Sequence, residues 1–155
     1  DELLAHASVA DRFDPDPWRR RSQFAFQQWS QTQSDDWFQK SIEYQRQAIA
    51  RDPIHSHDHR TLANLYLQRF STDRRGADAE AAVVAAKKSL ELYPNQVAGR
   101  RILAEALAAD GKAGEAKAAA QSTLDLNDLW VKLGHLDKVM TAGELDRMKT
   151  LAGSK

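Results

Sequence analysis

Apolar residues recur at intervals of three and four positions along most of the chain, with polar residues between them. Ala82, Ala86 and Leu90 form one such run, and Leu103 and Leu107 belong to another. This spacing places apolar side chains on one face of an α-helix, and no stretch sustains the strict alternation of a half-buried strand. The pattern therefore predicts amphipathic helices with one buried stripe each.

Residues that end or cap helices separate these runs. Proline, glycine, aspartate and asparagine favour turns and helix ends. The segments between them are about 12–16 residues long, a usual length for helices in globular proteins. A series of helices joined by turns is therefore expected. The separating clusters lie at residues 14–17, 34–36, 52–53, 71–76, 93–95, 110–111 and 127–128.

Composition supports the helical interpretation. Between residues 77 and 120, 16 of 44 residues are alanine, the strongest helix former. With 155 residues and 42% apolar content, the chain is long enough for one domain with its own core. We therefore expect a single all-α domain over residues 1–155.

Charge and cysteine content exclude several classes of function. The 22 basic residues balance the 22 acidic ones, so no overall field attracts nucleic acid or anionic lipid. The chain has no cysteine, which excludes disulfides, thiolate metal sites and cysteine nucleophiles but leaves both cytoplasmic and extracytoplasmic locations open. No apolar run approaches the ~18 residues of a membrane span. We expect no nucleic-acid partner and no membrane insertion by this segment.

The first residues suggest that the chain belongs to a longer protein. It starts with DELL, which has neither a methionine nor the basic region of a signal peptide. We therefore expect a domain excised from a longer parent chain, whose remainder can include a membrane anchor.

The same phrase ends three of the predicted helices: a small residue, an aliphatic residue, a polar residue and a stop. It reads AIARDP at residues 48–53, SLELYP at 89–94 and TLDLND at 123–128. The second and third phrases start 34 positions apart, and the first and second start 41 apart, seven more. A helix-turn-helix period of 34 residues is that of tetratricopeptide (TPR) repeats. The chain resembles this family.

The resemblance extends to individual positions. Small residues stand where the family packs helix backbones closely, and larger residues stand where it fills the gaps between helices. Trp29 departs from the pattern, because a small residue is expected there. Matching positions are Leu62, Ala63, Tyr66, Ala82, Ala86, Pro94, Leu103, Ala104, Leu107, Gly111, Ala116 and Leu124.

The resemblance implies an all-α, right-handed stack of about three antiparallel helix hairpins with a C-terminal capping helix. The seven extra positions are expected in a longer turn at residues 71–77. Thr141 and Glu144 resemble a capping box, which predicts a final helix that ends near Gly153. The expected units are residues 1–15 (part of a preceding repeat), 18–53 (a divergent hairpin), 56–94 and 97–128 (two further hairpins), and 129–155 (the cap).

The stretch HSHDH at residues 55–59 is a candidate metal site. His55 and His59 have the i, i+4 spacing of an HExxH zinc motif, but Ser56 replaces the general-base glutamate. A zinc site needs a third or fourth ligand, and only Asp58 is at hand. The favoured interpretation is Ser56 as N-cap, Asp58 at the positive helix end and solvated or half-buried histidines. We expect no native metal or other cofactor.

The run WRRR at residues 18–21 is a candidate single-strand nucleic-acid contact, because aromatic stacking beside basic side chains is typical of such sites. The neutral overall charge favours the alternative, in which Trp18 packs inward beside a solvated basic turn. No P-loop, nucleophile elbow, dinucleotide fingerprint or paired catalytic carboxylates occur in the sequence. The sequence therefore predicts a protein that is not an enzyme.

In TPR proteins the first helix of each hairpin lines a concave face that holds a peptide or helix of a partner protein. The resemblance therefore implies a non-catalytic interaction or scaffolding module, in which Arg60 and Arg101 bind partner carboxylates. The simpler alternative is that Arg101 only pairs with Glu105 one helical turn away. The implied contact residues are His57, Arg60, Asn64, Leu67, Gln68, Arg101 and Glu105.

Two further functions stay open. The ADRFDPDPW opening and the alanine-rich hairpins are similar to the TPR tails of bacterial O-antigen ligase or polymerase-like membrane enzymes, which implies a soluble regulatory tail of a glycan-polymer enzyme. A metal-dependent hydrolase that uses the HSHDH cluster is the remaining alternative.

Overall fold

The computed structural model describes residues 13–153. Residues 1–12, which hold most of the partial repeat helix predicted for 1–15, lie outside the described residues. Within 13–153 all regular structure is helical, which confirms the predicted all-α class. The helices are α1 (Asp16–Thr32), α2 (Asp35–Arg51), α3 (Ser56–Asp73), α4 (Gly76–Leu92), α5 (Val97–Ala109), α6 (Ala113–Lys132) and α7 (Ala142–Ala152), with a 3₁₀ helix at Leu136–Lys138.

Consecutive helices pack in neighbouring pairs and form hairpins. Helix α1 packs against α2, α3 against α4, and α5 against α6. Helix α4 also lies against α5, and α7 packs on α6 at the C-terminal end. Helices α3 and α5 touch, whereas α1 and α3 approach each other at few positions. The stack is therefore tight toward its C-terminal end and open between α1 and α3.

The core changes in composition along the stack. Its N-terminal part is aromatic: the Trp29 and Phe38 rings meet edge to face with centroids 5.4 Å apart, and Tyr66 lies 6.2 Å from Phe38. Its C-terminal part is built mainly from small residues, such as Ala104 and Ala120, which pack with Met148 of the final helix. Trp29, the departure from the repeat pattern, is thus a buried core residue of the first hairpin.

The predicted longer turn at residues 71–77 is wrong. Helix α3 ends at Asp73 and α4 begins at Gly76, so only two residues separate the helices. Arg74 adopts a left-handed conformation with φ of 56°, and its N–H closes α3 on the Phe70 carbonyl. The two helices have 18 and 17 residues, and the connection between them is short.

The predicted helix end at residues 127–128 is also wrong, because α6 continues to Lys132. Asn127 is buried, and its Oδ1 accepts a hydrogen bond from the Met140 backbone N–H at 2.8 Å. The asparagine therefore holds the following loop against the helix and does not terminate α6. The predicted capping box is confirmed: Thr141 and Glu144 cap α7 reciprocally.

The helix α7 ends as predicted. Gly153 follows its last residue with φ of 73°, the left-handed conformation that glycine adopts without strain. The capping box and the glycine together define a short terminal helix that covers the last hairpin.

Candidate functional site

A groove of about 760 Å³ lies between α1 and α3, where the two helices diverge. We call it the first-helix groove, because it is formed mainly by the first helices of two successive hairpins. Buried Trp29 and Leu65 and half-buried Phe26 contribute its apolar surface. Its polar lining comprises Arg19, Arg20, Ser22, Gln23, Ser30, Gln33, Gln45, His57, Asp58, Thr61, Asn64, Gln68 and Thr72.

One end of the groove is tied by an ion pair between α1 and α3. Arg19 Nε donates to both carboxylate oxygens of Asp58 at 3.0 Å, and its Nη2 donates to Oδ2 at 2.6 Å. Asp58 is only 1% exposed. Burial alone would raise the pKa of Asp58, but the hydrogen bonds and charge of Arg19 outweigh burial and hold it below its usual value. Asp58 is therefore an ionised anchor for the first hairpin.

The same carboxylate is held from the second helix of the first hairpin. The Nε2 of buried Gln45 donates to the Asp58 carbonyl at 3.1 Å and lies 3.3 Å from its Oδ1. Arg19 also pairs with Asp16 and Asp52, at 2.7 and 3.1 Å. Three aspartates thus surround one guanidinium, and the pKa of Arg19 is raised chiefly by its hydrogen bond to Asp58.

The opposite end of the groove lies near a second charged network. Arg69 of α3 forms a bidentate pair with buried Asp78 of α4. Asp35, at the start of α2, lies 3.8 Å from Arg69 and 3.0 Å from Arg75. Ion pairs therefore connect the first two hairpins near both ends of the groove: Arg19–Asp58 at one end, and Asp35 with Arg69 and Arg75 near the other.

The start of α3 differs from the sequence prediction. His55 occupies the N-cap position, and Ser56, the predicted cap, is the first helical residue. The Asp58 N–H donates to the His55 carbonyl at 3.0 Å, so the first turn closes one residue earlier than expected. No side-chain hydrogen bond caps this end. Asp58 contributes to packing between hairpins as well as to the helix end.

Part of the HSHDH stretch places possible metal-donor atoms close together. One donor atom each from Asp52, His55 and Asp58 lie within 4.8 Å of one another. The Nη2 of Arg19, however, lies 3.1, 3.0 and 2.6 Å from these donors. The guanidinium thus occupies the space and supplies the positive charge that a metal ion would. His59 faces a backbone carbonyl away from this set.

A second pocket of about 380 Å³ lies between α3, α5 and the loop before α7. Arg60 and Arg101 both line it, as does Glu144. Burial, and secondarily the charge of Arg101, lower the pKa of Arg60. Among the described residues Arg60 forms no ion pair, whereas Arg101 lies 3.1 Å from Glu144 and 2.8 Å from Glu105. Arg60 is thus a half-buried cation with no carboxylate partner within residues 13–153.

His57 lies at the boundary between the two cavities. It lines the first-helix groove, and its Nδ1 lies 2.6 Å from Nη2 of Arg60, which lines the second pocket. Burial, followed by the charge of Arg60, lowers the pKa of His57. A neutral imidazole can accept the hydrogen bond that the guanidinium donates. The two cavities are therefore neighbouring parts of one face.

The residues predicted to contact a partner separate into groups. His57, Asn64 and Gln68 line the first-helix groove, while Arg60 and Arg101 line the second pocket. The other two predicted residues line neither cavity: Leu67 is half-buried against the core, and Glu105 pairs with Arg101 and with Arg147 at 3.4 Å. Five of the seven predicted residues thus face the two cavities.

Sequence reasoning missed the role of Arg19. It lies in the WRRR run, for which the sequence predicts a solvated basic turn. Of its neighbours, Arg20 is exposed, while Arg21 lies over the rings of Trp18 and Tyr44, 5.1 and 4.3 Å from their centroids. The partner of Arg19 is the buried Asp58 of α3. Sequence patterns within one helix cannot identify an ion-pair partner that lies in another hairpin.

None of the helices between residues 13 and 153 combines the length and apolar content needed to cross a membrane. No protein-family model matches the chain, and no curated protein matches it significantly.

Proposed function

We propose that this chain is a non-catalytic, TPR-like interaction module that binds a segment of a partner protein along the first-helix groove. The observation that carries the proposal is the opening between α1 and α3, which is tied at one end by the Arg19–Asp58 pair and lined by hydrogen-bonding side chains. Such concave sites with an apolar floor and a few polar groups are where proteins usually bind ligands.

The charges in the groove favour binding over catalysis. Asp58 and Arg19 neutralise each other at short distance, so neither is a ready acid or base. The donors that resemble a metal set are held by the same guanidinium. A general base must have a pKa and position suited to proton transfer. The paired groups in this groove are instead suited to tie the two helices together at one end of the opening.

The second pocket extends the proposed surface. A buried or half-buried cation is costly without an opposite charge, and Arg60 has none among the described residues. A partner carboxylate in this pocket would supply the missing charge with a charge-assisted hydrogen bond. We therefore place an acidic residue of the partner beside Arg60 and the remaining segment in the groove.

Peptide selection tests the proposal. A displayed library of random linear peptides is selected on the immobilised chain, and the affinity of enriched peptides is measured by fluorescence anisotropy. Asn64→Trp would fill the groove from an exposed helix position, so we expect at least tenfold weaker binding. Lys87→Trp, on the exposed surface of α4, is the matched control and should bind normally.

Circular dichroism must show equal helicity for both variants. Absence of any enriched peptide, or equal binding by Asn64→Trp and Lys87→Trp, would contradict the proposed function.

A further inference from the structure

The C-terminal end of α6 extends past the helix with which it forms a hairpin. Helix α6 has 20 residues, whereas α5 has 13. Arg100, in the first turn of α5, donates a hydrogen bond to Oγ of Ser122 on α6, so the start of α5 lies beside residues 122–125. The following part of α6 therefore has no α5 backbone alongside it. We call residues 125–133 the α6 overhang; it is about 12 Å long, because an α-helix rises about 1.5 Å per residue.

The α6 overhang carries an apolar stripe that the rest of the molecule leaves exposed. Large apolar side chains lie on one helix face, because their spacing is three, one and three residues. They are Leu126, Leu129, Trp130 and Leu133. Leu129 and Leu133 are 48% and 57% exposed. The Trp130 ring is half-buried and held in place, since the His135 ring meets it edge to face with centroids 5.2 Å apart. Contiguous exposed apolar side chains of this kind mark interaction surfaces.

The charges beside the stripe make this surface complementary to itself. Asp125 and Asp128 lie toward the start of the overhang, and Lys132 lies toward its end. Asp125 and Lys132 are seven residues apart and therefore share one flank of the stripe. Among the described residues Asp125 accepts a hydrogen bond from Gln121 at 2.9 Å, but neither Asp125 nor Lys132 forms an ion pair. When two such helices pack antiparallel about a twofold axis, the acidic start of each lies beside the basic end of the other.

This charge pattern favours a second copy over other occupants. A partner whose charges are all of one sign would meet a like charge at one end of the overhang, which costs binding energy. An anionic membrane surface would likewise meet Asp125 and Asp128. A second copy in antiparallel orientation meets opposite charges at both ends and an apolar stripe between them. The same residues then form both sides of the interface, as twofold symmetry requires.

We infer that two copies of this chain associate through the α6 overhang, with their apolar stripes packed antiparallel about a twofold axis. About two helical turns from each copy form a small interface, so the association is weak and depends on concentration. The inference goes beyond the proposed function, because the first-helix groove is lined by residues between positions 19 and 72 and the overhang lies outside it. Each dimer carries two such grooves.

Sedimentation equilibrium of the purified chain tests the inference. Concentrations from about 1 μM to about 1 mM cover the affinities expected of a small interface, and we expect a monomer–dimer equilibrium within this range. Leu129→Glu and Leu133→Glu each place a charge in both halves of the interface and should raise the dissociation constant about tenfold or more. Val84→Glu, at an apolar position of α4 that is 65% exposed, is the matched control and should leave the dissociation constant unchanged.

Charge exchange tests the antiparallel orientation. Lys132→Glu places like charges together in both symmetry-related pairs and should weaken dimerisation about threefold to tenfold. The double variant Asp125→Lys with Lys132→Asp restores opposite charges and should recover the wild-type dissociation constant. Lys87→Glu, on the exposed surface of α4, is the control and should have no effect.

Circular dichroism must show equal helicity for all variants. A chain that stays monomeric at the highest concentration would overturn the inference, as would equal weakening by Val84→Glu and Leu133→Glu. A double variant that dimerises no better than Lys132→Glu would also overturn the antiparallel pairing.

Discussion

The two ends of this stack join their hairpins by different means. In the N-terminal seam, where α1 and α2 meet α3, aromatic rings pack in the core, and half-buried Arg19 pairs with buried Asp58 beside the groove. In the C-terminal seam, where α4 to α7 pack together, small residues such as Ala104 and Ala120 bring helices close. The seam built on small residues is closely packed, whereas the seam built on aromatic residues lies beside an open groove.

Gly99 shows how closely the helices of the C-terminal seam pack. A methyl group added at this buried position of α5 would lie 3.1 Å from Cδ2 of Leu90 on α4 and 2.9 Å from Oε1 of Gln96. Such contacts leave no room for a partner segment. The N-terminal seam instead uses directional ion pairs, which can hold two helices at a distance without filling the space between them.

The largest effect on stability is expected from a substitution that breaks the N-terminal seam. Arg19→Ala leaves Asp58 ionised and buried without its main counter-charge, which should lower the free energy of unfolding by about 3–5 kcal/mol. Urea denaturation followed by circular dichroism measures the change. Arg75→Ala removes an exposed pair with Asp35 and should leave the midpoint almost unaltered. Equal midpoints for the two variants would show that the Arg19–Asp58 pair does not hold the seam.

An intermediate effect on stability is expected from substitutions that disturb the C-terminal seam. Ala104 and Ala116 are 0% and 2% exposed, so leucine at either position would force packed helices apart. Overpacking typically costs ~1–3 kcal/mol. Thermal unfolding of Ala104→Leu and Ala116→Leu is compared with Ala118→Leu, whose side chain is exposed. Identical melting temperatures for Ala104→Leu and Ala118→Leu would refute the close approach.

A smaller effect is expected from pH, because acidification should destabilise the N-terminal seam before the C-terminal seam. The pKa of Asp58 is lower in the folded state than its ordinary value of 3.8. The stabilisation from its charge is therefore complete above about pH 5 and is lost as pH falls through 3.8 and then through the lower pKa of the folded state. Hydrogen exchange should show α1 and α3 losing protection before α5 and α6 on acidification.

Asp58→Asn serves as the comparison for this pH dependence, because it keeps the shape of the side chain and cannot titrate. Its stability should fall less steeply than that of the wild type below pH 4. Parallel pH profiles for the two proteins would show that another carboxylate causes the loss.

The smallest effect concerns the ion pairs beneath the cap. Arg101 lies 2.8 Å from Glu105, a pair at i, i+4 spacing whose coupling is typically ~0.3–0.5 kcal/mol. A double-mutant cycle of Arg101→Ala and Glu105→Ala measures this coupling from urea midpoints. A coupling several times larger would indicate that Glu144 and Arg147, which pair with the same residues, make the network cooperative.

Particular residues show why the helices could be predicted better than the turns. The spacing of Ala82, Ala86 and Leu90 reports the buried face of their own helix, and the structure buries the first two. The helix ends near residues 73 and 128 were predicted less well, because polar residues there have tertiary roles. Asn127 binds the loop before α7, so its turn-forming tendency does not decide the backbone.

The residues of the candidate site could likewise be predicted only in part. The resemblance to TPR repeats identified Asn64 and Gln68 as side chains of an exposed first-helix face, and both line the groove. It also proposed Leu67, which lies against the core instead, because successive residues of an α-helix are rotated by about 100° and Leu67 therefore points away from neighbouring Gln68. The opposite wall of the groove, from Gln23 to Gln33, was not foreseen because the first hairpin departs from the repeat pattern.

By itself the sequence determined the helical class, the succession of hairpins and the terminal cap, because apolar periodicity and capping or turn residues act within one helix or between chain neighbours. Only the tertiary structure decided that Arg19 and Asp58, 39 positions apart, form the tie beside an open groove. An ion pair of this kind depends on the distance between two stacked hairpins. That distance is set by the packing of Trp29, Phe38 and their neighbours together, which no local pattern records.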